Sequence, residues 1–268
     1  MSRSRQPAVA GYFYPASPAE LAADVRAMLA VAHSEETLRM PKALIVPHAG
    51  YIYSGPVAAT AYARLAAQAD RIRRVVLLGP VHRVPVRGLA LPAARTFSTP
   101  LGDIPLDEAA MEKVAGLSQV VVSEAAHGPE HSLEVHLPFL QAVLGAFQLL
   151  PLAVGDATPE EVAGVLECVW GGDETLIVIS SDLSHYLPYD MAVRTDADTV
   201  RHIIGLQPDL THTQACGATP VNGLLHLAGR HALEAELLDL RNSGDTAGDK
   251  SRVVGYSAIA FYEPSGGV

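Results

Sequence analysis

The chain has 268 residues, 49% of them hydrophobic, and its 19 basic and 29 acidic side chains give a formal net charge of −10. A chain of this length can bury roughly three quarters of the surface its unfolded form exposes, so a stable core requires neither a disulfide nor a structural metal. The acidic balance argues against nucleic acid as a partner, because phosphate binding needs a basic surface to release counterions; the local basic run is Arg71, Arg73 and Arg74.

Cys168 and Cys216 are the two cysteines, a count that suits a reducing compartment where thiols serve chemistry or packing. Met1 to Pro7 carries Arg3 and Arg5, but no apolar h-region follows, so a secretory signal is not expected. No apolar run approaches the ~18 residues of a membrane span. The expectation is a cytoplasmic protein with no membrane partner.

In chain order, Ser17-Pro18-Ala19-Glu20 is a capping-box signature with proline at N1, and it predicts a helix with Leu21, Val25, Met28 and Leu29 on one face. Ala43 to Val46 is the first of five continuous apolar runs and leads into Pro47-His48-Ala49-Gly50-Tyr51. Val75 to Leu78 leads into Gly79-Pro80-Val81-His82, and Val120 to Val122 follows. His127 to His136 reads as a polar helix N-terminus: on a helix starting near His131, His136 falls at i+5 and points away. That spacing is not the His-Glu-x-x-His zinc pattern, and Glu130 and Glu134 would favour the positive end of the helix dipole.

Leu149 to Val154 is the fourth run. Thr158-Pro159-Glu160-Glu161 repeats the capping signature ahead of Val162, Val165, Leu166 and Val169, with Cys168 expected mid-helix in the core. Leu176 to Ile179 leads into Ser180-Ser181-Asp182-Leu183-Ser184-His185-Tyr186. Gln214-Ala215-Cys216-Gly217 precedes a helix with Val221, Leu224, Leu225 and Leu227. Cys216 there is either a small buried residue or a thiolate, since a helix N-terminus depresses a cysteine pKa. Val253 to Tyr262 is partly alternating and reads as an antiparallel strand or an edge. Histidines 33, 202, 212, 226 and 231 carry no motif and read as solvated or packing residues.

Runs without in-out alternation suggest strands covered on both faces. No repeat or linker divides the chain. The fold class predicted is therefore α/β, one domain with a mixed β-sheet sandwiched between α-helices. Three runs end in histidine-bearing loops, and ligands collect beyond the carboxyl ends of strands in such sheets. His48, His82 and His185 should share one end of the sheet, as a metal site or an acid–base site.

These segments resemble the Memo family, called AmmeMemoRadiSam system protein B in bacteria. The carrying residues are Ala10 to Pro15, Pro47-His48-Ala49-Gly50-Tyr51 with Ser54-Gly55, Gly79 to His82, Thr99 to Gly102, Glu130 to Glu134, Asp182 to Tyr186, Cys216-Gly217, and Asp245-Thr246 with Gly248-Asp249, so the similarity runs from about Ala8 to Glu263 as a single domain. The family is similar in fold to class III extradiol dioxygenases, which hold Fe(II) and open catechol rings. The resemblance implies one divalent metal, Fe(II) first and Cu or Zn as alternatives, on His48, His82 and Cys216. Asp182 and His185 would stand beside it as catalytic groups, His131 would donate a hydrogen bond to bound oxygen, and Tyr51 and Tyr186 would line a substrate pocket. A cysteine replaces the carboxylate usual in those dioxygenases.

Three functions follow as expectations: a non-haem iron oxygenase acting on a small aromatic substrate, a zinc-dependent hydrolase, or a non-enzymatic interaction or redox protein with a copper, iron or zinc site. Animal relatives are described as signalling adaptors and bacterial ones accompany a radical enzyme by gene association, which implies a protein partner.

Overall fold

The structure is a computed structural model that describes residues 4–32 and 39–264; Met1 to Arg3 and His33 lie outside the described residues. In chain order the elements are β1 (Ser4–Arg5), α1 (Pro18–Val31), β2 (Ala43–Val46), α2 (Tyr51–Ala63), β3 (Arg74–Pro80), β4 (Leu89–Leu91), β5 (Thr96–Thr99), β6 (Gly102–Pro105), α3 (Glu108–Ala115), β7 (Val120–Val122), α4 (Glu124–His127), α5 (Leu137–Leu144), β8 (Gln148–Val154), α6 (Pro159–Cys168), β9 (Thr175–Ser180), β10 (His185–Leu187), α7 (Tyr189–Ile204), α8 (Ala218–Arg230), β11 (Glu234–Asn242), α9 (Ser243–Thr246) and β12 (Val253–Tyr262). Each of the five apolar runs is a strand.

The main sheet runs β10-β12-β2-β9-β3-β8-β4-β7, with β11 also paired to β12. Its centre is parallel: β2 with β9, β9 with β3, and β3 with β8. β12 is antiparallel to β2, β10 and β11, so it lies inside the sheet and is no edge. The α/β class and the mixed sheet are as expected. A small sheet of β1, β5 and β6 stands apart.

Both faces of the central strands are buried, which is why their sequences do not alternate. Leu44, Val46, Leu77 and Val178 pack on one side with Leu21 and Val25 of α1, Tyr62 of α2 and Phe139 of α5. Ile45, Val76, Leu78 and Ile179 face the other way, onto Val162 and Leu166 of α6 and Leu224 of α8. Truncating any of these leucines to alanine costs about 2–5 kcal/mol.

The helix starts follow their caps. Thr158 and Glu161 form a reciprocal box, and Ser17 Oγ accepts the Glu20 N–H at 3.5 Å. Two expectations are corrected. No helix starts near His131: turns run through residue 133, followed by a 3-10 turn at Glu134–His136 and then α5. Cys168 is the last residue of α6 and only half-buried, though it packs on the second core cluster.

The basic run is largely neutralised, with Arg71 paired to Asp173 and Arg74 to Asp107. Among the described residues no helix is long and apolar enough to cross a membrane. What matters for the site is the sheet order. β2, β9 and β3 are parallel neighbours, and His48, Asp182 and His82 each follow the end of one of them by two residues.

Candidate metal centre

Among the described residues, His48, His82 and His131 each present one ring nitrogen, and these nitrogens lie within 4.8 Å of one another. The ring centroids are 5.1 Å apart for His48 and His82, 5.5 Å for His48 and His131, and 4.7 Å for His82 and His131.

The tautomer of His48 follows from its neighbours. Ser180 Oγ gives its single proton to the Ser132 carbonyl at 2.6 Å, so it must accept from His48 Nδ1, 2.7 Å away. Nδ1 therefore carries the proton and Nε2 the lone pair. Burial, reinforced by His82 and His131, holds the pKa of His48 well below the ordinary imidazole value.

Glu130 does the same for His82. Its Oε1 faces His82 Nδ1 at 3.0 Å and accepts the backbone N–H groups of His131 and Ser132, both at 2.9 Å. Burial pushes the carboxyl up, but the hydrogen bonds from the His82 ring and the His82 and Ser132 backbone win and hold it at about 2. An ionised carboxylate only accepts, so His82 Nδ1 is the donor, which is the tautomer that leaves the Nε2 lone pair to a metal when the ring is neutral. The expected dipole role for Glu130 and Glu134 is corrected accordingly: both are buried and bonded to specific partners, Glu134 to Arg5, Tyr14 and the N–H groups of Ala8 and Val9. Burial lowers His131 to about 4, so it too is neutral. Its Nδ1 is buried and lacks a well-directed hydrogen-bond partner.

Cys216 brings sulfur to the same place. Sγ is 3.4 Å from His48 Nε2 and accepts the Asp182 N–H at 3.3 Å, while the Cys216 N–H donates to the Asp182 carbonyl at 3.2 Å. Burial, and then the Asp182 carboxylate, push the thiol up to about 12. This reverses the depressed pKa expected at a helix N-terminus. Cys216 precedes the Gly217 cap of α8, and the N–H groups of Asp182 and Gly217 do not offset its desolvation.

Asp182 Oδ1 accepts the His48 N–H at 2.8 Å, and burial raises its carboxyl to about 7. His185 opens β10, its Nδ1–H donating to the Leu183 carbonyl at 2.9 Å. The residue is solvent-accessible, yet partial burial of its ring lowers its pKa, with His82 adding to the effect. Tyr51 is buried in the core with its hydroxyl on the Val135 carbonyl at 2.7 Å, whereas Tyr186 is exposed, at φ 59°, with its ring 5.8 Å from that of His185.

The cluster opens onto a cleft of about 350 Å³ that shares His82 and Cys216 with it and is walled by Val81, Pro85, Val86 and Val154. His212 also lines this cleft, its Nδ1 3.3 Å from the Cys216 carbonyl. It belongs to no motif, and its spacing of four from Cys216 is the one sequence signal that marks it. The donor set suits a metal ion. Two imidazoles with Nδ1 hydrogen-bonded away from the cluster turn Nε2 towards it, a third imidazole stands beside them, and a thiol faces the first.

Comparisons with known proteins agree with the motifs. A family profile described as Memo-like protein matches residues 5–260. A MEMO1 family protein of Ignicoccus hospitalis is 36% identical, covering 97% of this chain and 99% of the relative. Those of Aquifex aeolicus (36%; 97% and 99%) and Methanosarcina barkeri (37%; 95% and 98%) are similar over nearly their whole length. A crystal structure of an uncharacterized protein from Escherichia coli K12 shares the fold, with a TM-score of 0.52 at 14% identity over 83% of this chain and 100% of that one. The chain belongs to the Memo family.

Proposed function

We propose that the chain holds one divalent metal ion and works as a non-haem iron oxygenase on a small aromatic substrate. The observation that carries this reading is the cluster of His48, His82 and His131, of which His82 lines a cleft with an apolar wall. Fe(II) held by two histidines and one anionic donor would supply binding of substrate and dioxygen. His48 and His82 would hold the ion through Nε2, with Cys216 as the thiolate and His131 as a further donor. Cys216 would give up its proton on ligation, because only the thiolate ligates.

Asp182 keeps the His48 backbone in place and, with its carboxyl near neutrality, stores a proton at the site. His185, with Nδ1 committed to Leu183, presents Nε2 as the base for a substrate hydroxyl. Val81, Val86 and Val154 suit the flat apolar face of a ring and exclude water from one side of the cleft. The reaction class rests on the likeness to dioxygenases, which is analogy of fold.

The test is anaerobic purification from iron-supplied cells, metal analysis, and oxygen uptake with a panel of catechols. Iron with catechol-dependent oxygen uptake is the expected result, and His185→Ala should keep the metal while slowing turnover about a hundredfold or more. Zinc without oxygen uptake would move the reading to hydrolysis. Stoichiometric metal with no turnover of either kind would leave a binding or redox role.

A further inference from the structure

The segment from Ser4 to Tyr14 contributes no atom to the histidine cluster, yet it is tied to two of the three loops that form it. The Arg5 guanidinium is almost wholly buried and makes three contacts within one short stretch: Nε donates to the His127 carbonyl at 3.1 Å, Nη2 to the Glu130 carbonyl, and Nη1 to the Glu134 carboxylate. That stretch, 127–134, is mostly turn and carries Glu130 and His131. Glu134 returns the grip on the arm, accepting the Ala8 N–H at 2.7 Å, the Val9 N–H at 3.0 Å and the Tyr14 hydroxyl at 2.6 Å.

Farther along, the arm reaches the loop that carries His48. The Phe13 carbonyl accepts the Tyr51 N–H at 2.8 Å, three residues past His48, and the Phe13 ring lies 4.8 Å from that of His131. Turns have few hydrogen bonds of their own, so an internal cation with a planar fork of donors can decide their shape. Here the fork spans the carbonyl of the very residue whose carboxylate fixes the His82 tautomer.

We infer that Arg5 is a positioning residue for the metal centre, holding Glu130 and His131 in register with His48 through the N-terminal arm. It touches neither metal nor substrate. Its removal lets the 127–134 turn relax, which loosens His131 and frees the His82 ring. The inference rests on the metal-binding part of the proposed function and is independent of the reaction catalysed.

The test uses the full chain and Co(II) alone, titrated anaerobically and followed by visible absorption, together with chemical denaturation of each metal-free protein. Arg5→Gln is compared with Arg5→Lys and with Arg74→Gln. Arg74 pairs with buried Asp107 at the opposite end of β3 from His82, so its variant measures what a lost ion pair does to stability alone. Arg5→Gln should weaken Co(II) binding about 10- to 100-fold, the usual cost of losing a group that orients a ligand. Arg74→Gln should lose stability without that change in affinity. Arg5→Lys keeps the charge but not the fork, and should fall between wild type and Arg5→Gln. If Arg5→Gln does not fold, Arg5→Lys decides by the same comparison with Arg74→Gln. Wild-type affinity in the Arg5 variant that folds, or an equal loss in Arg74→Gln, overturns the inference. A wild-type protein that takes up no Co(II), or a His48→Ala variant that binds it normally, overturns the proposed metal site instead.

Discussion

Glu130 grips His82 twice, its Oε1 accepting the ring Nδ1–H at 3.0 Å and its Oε2 the backbone N–H at 2.5 Å. The same Oε1 also takes two backbone N–H groups, so the carboxylate faces donors only. In Glu130→Gln an amide NH₂ must confront one of them. We expect about 10- to 100-fold weaker metal binding, and about 1–3 kcal/mol less stability from the unpaired donor. Isothermal titration of the metal-free variant and its denaturation midpoint measure both.

Cys216→Ala should lower metal affinity substantially, whereas Cys168→Ala should leave it unchanged, because Cys168 ends α6 and packs on the core rather than on the histidines. Cys216→Asp should recover part of the loss by restoring an anion. The thiol stands at about 12 without metal, so its proton leaves when metal binds, and affinity should rise about tenfold per pH unit in the neutral range. Metal stoichiometry after dialysis against a mild chelator, repeated at several pH values, reads each of these. A pH-independent affinity would remove the thiolate from the ligand set.

Acid should destabilise the metal-free protein. Burial lowers His127 to about 4 and His136 to about 3, and His131 to about 4. Their folded values lie below the ordinary 6.5, so between about pH 6.5 and 4 the unfolded chain binds more protons and stability falls with pH. The slope approaches ~1.4 kcal/mol per pH unit for each proton taken up. Asp182, raised to about 7, works the other way, adding stability as the pH falls through 7, but a single carboxyl does not outweigh three histidines below pH 6. Urea midpoints between about pH 6 and 4.5 should fall steadily, and saturating metal should oppose the fall by about 2.7 kcal/mol at one hundred times its Kd. Flat midpoints would mean that these rings are not held neutral.

Two glycines of the α8 region should respond oppositely to a methyl group. A Cβ on Gly217 would stand 2.6 Å from the Ser180 carbonyl and 2.7 Å from Ser181 Cβ, both backed by the strand that ends beneath the site. Gly217→Ala should cost about 1–3 kcal/mol and displace Cys216, with metal lost along with it. Gly229, in α8, has nothing within 4 Å of its Cβ position. Gly229→Ala should add about 0.4–1 kcal/mol and leave metal binding alone. Thermal melts with and without metal separate the two.

The strands were legible because a core covering both faces leaves one continuous apolar signal, as in Leu176 to Ile179. α2 was not: its cap is Gly50 without a side-chain bond, and Pro56 sits inside it, so nothing local announces it. β4, β5 and β6 are three or four residues long and carry no run to notice. At the site, His48, His82 and Asp182 were readable as strand-end residues. His131 was read through helical spacing, and the turn that replaces the helix is what brings its ring to His48. Arg5 and Glu134 lie 129 positions apart, and no pattern within either neighbourhood pairs them.

The order β2-β9-β3 has a consequence for how this centre can change. Neighbouring strands stand about 4.8 Å apart, so the strands bearing His48 and His82 are separated by about 10 Å, with the end of β9 between them. The gauge of the opening is thus set by backbone ladders deep in the sheet, and loop sequence has little say in it. Insertions in the 83–88 or 206–211 segments can reshape what enters without altering the distance across which the two imidazoles meet. New substrates are within reach of loop variation; a wider or narrower coordination site is not, short of rebuilding the sheet.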